Sequence, residues 1–189
     1  MSSPDALARE QQPSLRGVAR RSIEEGLRSY APLELDATRF PPPACDPGAS
    51  FVTLRRTGEL RGCTGTLQAF RPLVRDVAHN AFRSAFGDPR FPPLREDELP
   101  GLDIHVALLS PLEPLPASSE KELLAALRPG VDGLVLREGP RSATFLPTVW
   151  ESLPQPRDFL ARLREKAGLP PGHWSATLRF ERYTTEEAG

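Results

Sequence analysis

Apolar residues recur at helical spacing from Leu15 to Tyr30, where Leu15, Val18, Ala19, Ile23, Leu27 and Tyr30 fall on one face. Pro13-Ser14 supplies the start signal, with Ser14 as N-cap. The period then changes. Phe51 to Arg56 and Glu59 to Leu67 alternate as two strands around a Thr57-Gly58 turn. A two-residue turn pairs Arg56 with Glu59, Leu54 with Arg61 and Val52 with Cys63. That register puts Arg61, Cys63 and Leu67 on one face, beside the apolar Val52 and Leu54, with Arg61 and Cys63 about 6.6 Å apart along the strand. A second helix opens at Pro72, a favoured first-turn residue, and runs to Phe86. Leu73, Val74, Val77, Ala78, Ala81, Phe82 and Ala85 form its core stripe, and Arg75, His79 and Arg83 its polar face.

The remaining elements are shorter. Leu102 to Leu109 reads as a strand, and Ser119 with Glu122 resembles a capping box opening a helix to Leu127. Leu134 to Arg137 and Ser142 to Leu146 form a second hairpin around Glu138-Gly139-Pro140. Pro156 to Ala167 is a helix with Gly168 at its end, and Ala176 to Tyr183 a closing strand. Hairpins interleaved with helices predict an α+β fold with a largely antiparallel sheet and flanking helices. One domain over residues 14–184 is expected, with residues 1–13 and 185–189 as flexible termini.

Composition narrows the class. The chain has 189 residues, 39% hydrophobic and 26% charged, as in soluble globular proteins. Its 22 prolines exceed twice the roughly 5% average, so they punctuate a folded chain with firm loops. Met1 to Ser14 is polar, without the apolar core of a signal peptide. No apolar run approaches the roughly 18 residues of a membrane span. Cys45 and Cys63 make no disulfide framework, so a reducing cytoplasm is the expected compartment.

Net charge is −1, which argues against general attraction to nucleic acid. Residues 55–95 nevertheless carry arginines at 55, 56, 61, 71, 75, 83, 90 and 95 against Glu59, Asp76 and Asp88. This local excess keeps a small anionic ligand, or a polyanion, in view.

Cys63 stands between Gly62 and Gly65, two residues from Arg61. As a thiolate it is a candidate catalytic nucleophile or redox group, helped by Arg61 and by backbone N–H groups near the glycines. The plain structural alternative is a small buried hydrophobe in a strand. No histidine stands at a telling spacing. Arg61 and Arg90 suit carboxylate or phosphate binding, and the alternative is a salt bridge, such as Arg90 closing onto Asp88. Phe91, flanked by prolines, reads as a loop anchor more than a stacking platform. His79, His105 and His173 are scattered without metal-ligand spacing, so no metal or other cofactor is expected. Phosphate-loop, dinucleotide and nucleophile-elbow motifs are missing.

Leu60-Arg61-Gly62-Cys63-Thr64-Gly65 is similar to the LRGCIG signature of the AMMECR family, called AmmeMemoRadiSam system protein A in bacteria. Ala85-Phe86-Gly87-Asp88-Pro89-Arg90-Phe91-Pro92-Pro93-Leu94 resembles its AFRDPRFPPL stretch. Val131-Asp132-Gly133-Leu134, Thr144-Phe145-Leu146-Pro147 and Lys166-Ala167-Gly168-Leu169-Pro170 match further segments, with Trp174 shortly after. Thr148 stands where the family often has glutamine, and His105 where it often has an acidic residue. The resemblance spans about residues 14 to 184. It implies a larger and a smaller subdomain in one unit, and association with a Memo-like protein and a radical SAM protein. It implies no settled activity.

The leading expectation is therefore an accessory or binding protein with a cleft bordered by Arg61, Gly62, Cys63, Gly65, Asp88, Arg90 and Phe91. An enzyme using the Cys63 thiolate is the second reading. Polyanion binding through residues 55–95 is the third.

Overall fold

A computed structural model describes residues 14–188 of the chain. The predicted N-terminal flexible segment, residues 1–13, lies outside the described residues. The chain is α+β, with two four-stranded antiparallel sheets in two compact units. The larger unit extends to Leu109 and resumes at Glu186, and the smaller is Ser110–Thr185.

In the larger unit, helix α1 (Leu15–Ser29) starts at the predicted cap, where the Gly17 N–H donates to Ser14 Oγ at 3.1 Å. Tyr30 ends it in the left-handed region. Strands β1 (Ser50–Arg56) and β2 (Glu59–Gly65) form the hairpin. Thr57 and Gly58 both take positive φ, as a type I′ turn requires. Helix α2 (Leu73–Phe86) follows, then strand β3 (Leu102–Leu109), a stretch of 3₁₀ helix (Glu96–Gly101) lying between them. Strand β8 (Thr185–Glu187) completes the order β2-β1-β3-β8. Thus residues 185–187 are a strand, where the sequence reading places a flexible end. The Ala188 N–H continues this pairing by donating to Val106 O at 2.8 Å.

The hairpin register departs from the prediction. Arg56 pairs with Glu59 as expected, but a bulge between Leu54 and Arg55 leaves Arg61 without a partner on β1. Beyond it Leu54 faces Gly62, Thr53 faces Cys63 and Val52 faces Thr64. One extra residue shifts every later pairing and reverses the facing of the side chains. Cys63 therefore shares its face with Thr53, not with Val52 and Leu54. Those two are fully buried and pack under α1 and α2 with Ile104 and Val106.

Close packing fixes this geometry. A Cβ at Gly62 would overlap the backbone oxygen of Ser84 on α2, so only glycine lets the strand lie against the helix there. The α2 stripe is buried as predicted at Leu73, Val74, Val77, Ala78, Ala81 and Ala85. The same face also carries Asp76, Asn80 and Ser84, all buried.

In the smaller unit, strands β4 (Glu113–Pro114), β5 (Gly133–Glu138), β6 (Arg141–Phe145) and β7 (Arg179–Tyr183) order as β4-β7-β5-β6. Helices α3 (Glu120–Ala126) and α4 (Pro156–Lys166) supply Leu123, Phe159, Leu160 and Leu163 to its core. Trp150 stacks on Phe159 with centroids 3.8 Å apart. Gly168 has φ of +75°, the left-handed helix end anticipated from the sequence.

Replacing Gly62 by alanine should destabilise the protein by about 1–3 kcal/mol, the usual cost of overpacking. Gly58, whose Cβ position is open, should lose less on the same change despite its positive φ. Urea unfolding of the two variants checks the order.

Candidate functional site around the Leu60–Gly65 segment

Two carboxylates hold this segment, Asp88 at the Cys63 backbone and Glu98 at the Arg61 side chain. Asp88 follows α2 and is buried. Its Oδ2 accepts the Cys63 backbone N–H at 2.9 Å and Arg90 Nη2 at 2.7 Å. Its Oδ1 accepts Arg90 Nε at 2.9 Å and the Arg90 backbone N–H at 3.1 Å. Asp88 thus joins the strand carrying the thiol to the loop carrying Arg90. The Arg90 side-chain bonds, aided by the Cys63 and Arg90 backbone N–H groups, lower its pKa from 3.8 to about 2 against the opposing effect of burial.

Glu98 does the same for Arg61. Arg61 Nε donates to Oε1 at 2.8 Å, and Nη2 donates to Oε2 at 3.0 Å and to Pro92 O at 3.0 Å. Bidentate pairing of this kind sets orientation as well as charge. It lowers the Glu98 pKa from 4.5 to about 2, again opposed by burial, with help from the Arg95 N–H. Arg61 Nη1 is buried without a hydrogen-bond partner among the described residues. The Arg61 and Arg90 guanidinium carbons lie 5.8 and 5.5 Å from the centre of the Phe91 ring, within cation–π range. Phe91 thereby contacts both arginines and is half-buried.

The sulfur has different company. Cys63 is half-buried, and its Sγ lies 3.3 Å from Thr53 Oγ1, its hydrogen-bond partner among the described residues. Thr53 in turn faces His105 across β1 and β3. Cys63, Thr53 and His105 form one row across three strands, which puts the imidazole about 10 Å from the cysteine by strand spacing. Both ring nitrogens of His105 are engaged, Nε2 with Asp103 at 2.8 Å and Nδ1 with Glu187 at 3.2 Å. The row supplies no base in contact with the thiol. Gly65, the last residue of the strand, lies against the Phe51 ring, which leaves no room for a Cβ. Among the described residues no cluster of His, Cys, Asp and Glu is arranged to hold a metal ion. No described helix is long and apolar enough to cross a membrane.

The structure thus brings Arg61, Cys63, Asp88, Arg90 and Phe91 together through the α2–β3 connection. Sequence reasoning missed Glu98, which lies in the acidic run Glu96-Asp97-Glu98 with nothing in the pattern to distinguish it. It also missed the buried knot at Asp76 and Asn80. A signal for those existed, since both fall on the α2 core stripe, where a polar residue needs partners.

The two carboxylates set an acid limit. Their folded pKa values lie below the unfolded ones, so the stability they contribute is present above about pH 4 and is lost as pH falls toward 2. The urea midpoint should drop across that window. In an Asp88→Asn/Glu98→Gln double variant it should start lower and fall less steeply.

The whole molecule has known relatives. The AMMECR1 family model matches residues 17–188. A protein from Methanothermobacter thermautotrophicus is 37% identical over 170 residues, covering 87% of this chain and 86% of the relative. One from Thermococcus gammatolerans is 36% identical over 180 residues, covering 89% and 85%. The crystal structure of an uncharacterized protein from Pyrococcus horikoshii superposes with a TM-score of 0.85 at 34% identity, over 92% of this chain and 88% of that one. By sequence and by fold, this chain belongs to the AMMECR1 family.

Proposed function

We propose that this protein is a binding or accessory protein that acts with a Memo-like protein and a radical SAM protein, and that the surface formed by Arg90 and Phe91 beside β2 is where a partner docks. The observation that carries this reading is the pairing at the Leu60–Gly65 segment. Arg61 and Arg90 are closed on Glu98 and Asp88, so their charge holds a shape rather than waiting for a substrate. Phe91, braced by two guanidinium groups, is a rigid aromatic anchor of the kind that concentrates binding energy at interfaces. Asp88 is bonded to the strand and to the loop, so the anchor is pre-organised.

The competing reading is a Cys63 nucleophile. It draws on a half-buried thiol on a residue whose backbone carbonyl accepts from Arg90 Nη2 at 3.5 Å. Against it stands the neutral Thr53 hydroxyl as the sulfur's partner, where nucleophilic catalysis wants a base.

Purified Memo-like and radical SAM proteins of the source organism should bind the chain in sedimentation or calorimetric titrations. Phe91→Ala should weaken that binding by about 2 kcal/mol or more, the size of an interfacial hot spot, while the unfolding midpoint changes little. No binding by the wild-type chain, or equal binding by the variant, removes the reading. Rapid iodoacetamide labelling of native Cys63 at neutral pH, with loss of a measured activity in Cys63→Ser, would favour the nucleophile instead.

A further inference from the structure

Two arginines of the larger unit are not closed on carboxylates in the way of Arg61 and Arg90, and they line one cavity. It has a volume of about 360 Å³, within the range of small-molecule sites. One wall is the segment after α1, with Pro32, Leu33 and Leu35. That wall is anchored: the Leu33 N–H donates to Ser22 Oγ at 3.1 Å, and Ser22 Oγ donates to Ala78 O at 2.7 Å. The opposite wall is the start of α2 with the residues before it. There Arg75 and His79 stand one turn apart, joined by Arg71 and Phe70.

Phe70 is 64% exposed, an unusual position for a large aromatic side chain. The Arg71 guanidinium lies 4.2 Å from the centre of its ring, which fixes the two side chains together. Arg71 Nε lies 3.3 Å from Asp76 Oδ1, and its two terminal nitrogens have no partner among the described residues. Arg75 donates Nε to Leu35 O at 2.8 Å, and its terminal nitrogens are likewise unengaged. The Arg75 fork is thus oriented through its Nε hydrogen bond and the Arg71 fork by its ring contact with Phe70, with the outer donors of both left without a partner among the described residues. That geometry suits an oxyanion. Glu34, also on the rim, opposes a run of phosphates and favours a compact anion.

We propose that this cavity binds a small organic anion, its carboxylate or phosphate group held by Arg71 and Arg75 and its planar apolar body lying on Phe70 and the Leu33–Leu35 wall. The site is separate from the Cys63 surface and independent of the partner reading above. His79 reports on it. Burial first, then Arg71 and Arg83, push its imidazole pKa down, while Asp76 and Glu34 pull it up. A bound anion adds to the upward pull.

The test uses the full-length protein with benzoate, phenyl phosphate and inorganic phosphate as probes, followed by calorimetry and by the His79 imidazole resonance in NMR. Benzoate or phenyl phosphate should saturate, and the tighter of the two identifies the head group. Inorganic phosphate should bind at least about tenfold more weakly, because it lacks the apolar body. Arg75→Gln and Phe70→Ala should each weaken the organic probe about tenfold or more, and saturation should raise the His79 pKa in the wild type. Phe70 and Arg75 are both exposed, so the variants should keep the native unfolding midpoint; Phe70→Ala alone decides if Arg75→Gln does not. Failure of both organic probes to saturate at millimolar concentration overturns the proposal. So does equal affinity for inorganic phosphate, or binding that neither variant disturbs.

Discussion

Asp76 sits on α2 with no exposed surface, and its carboxylate collects the strands around it. Ser50, the first residue of β1, donates both its backbone N–H and its hydroxyl to Oδ2, at 3.0 and 2.8 Å. Thr66, just past β2, donates to Oδ1 at 2.6 Å. Asn80, one turn along the helix, donates to Oδ2 at 2.9 Å and also to Ser50 O and Thr66 Oγ1. A buried carboxylate is tolerable only with such a set of donors, and removing it leaves them unsatisfied in turn. Both ends of the hairpin are therefore held to one helical turn. Ser84 extends the same ladder by donating to Val52 O at 2.8 Å.

With the open end of the hairpin fastened there, its other parts are constrained. Gly62 must pass under the Ser84 carbonyl, and β2 accommodates its extra residue as a bulge at Arg61. The bulge directs Arg61 toward Glu98 and turns Cys63 to the face opposite the core. Asp88, leaving the same helix, then reaches the Cys63 N–H. The helix that holds the hairpin at Asp76 also delivers the carboxylate that arranges the Leu60–Gly65 segment.

Arginine is used in two ways within one stretch of about forty residues. At positions 61 and 90 a carboxylate takes two donors of the fork at once, and the result is structural precision. At position 75 a single Nε hydrogen bond orients the fork, at position 71 the Phe70 ring does, and the outer donors of both are left available. Counting charge along the sequence cannot separate these cases, because the deciding factor is which carboxylate lies within about 3 Å, and Glu98 is 37 residues from Arg61.

The elements were legible because their signals are local. Helical spacing, the Ser14 cap, the Thr57-Gly58 turn and Gly168 each act through neighbours in the chain, and the structure bears them out to within a few residues. Family membership was legible too, since short motifs survive as strings. The register of the first hairpin was not. Turn type sets the first pair, but a bulge depends on how the strand packs against a distant helix, and Gly62 under Ser84 is a contact between residues 22 positions apart. The facing of Cys63, the pairing of Arg61 with Glu98 and the knot at Asp76 were likewise decided by tertiary structure. Sequence alone determined which residues form helices and strands and which are chemically capable. Only the fold decided which partners they meet, because burial and hydrogen bonding are settled between segments that sequence order keeps apart.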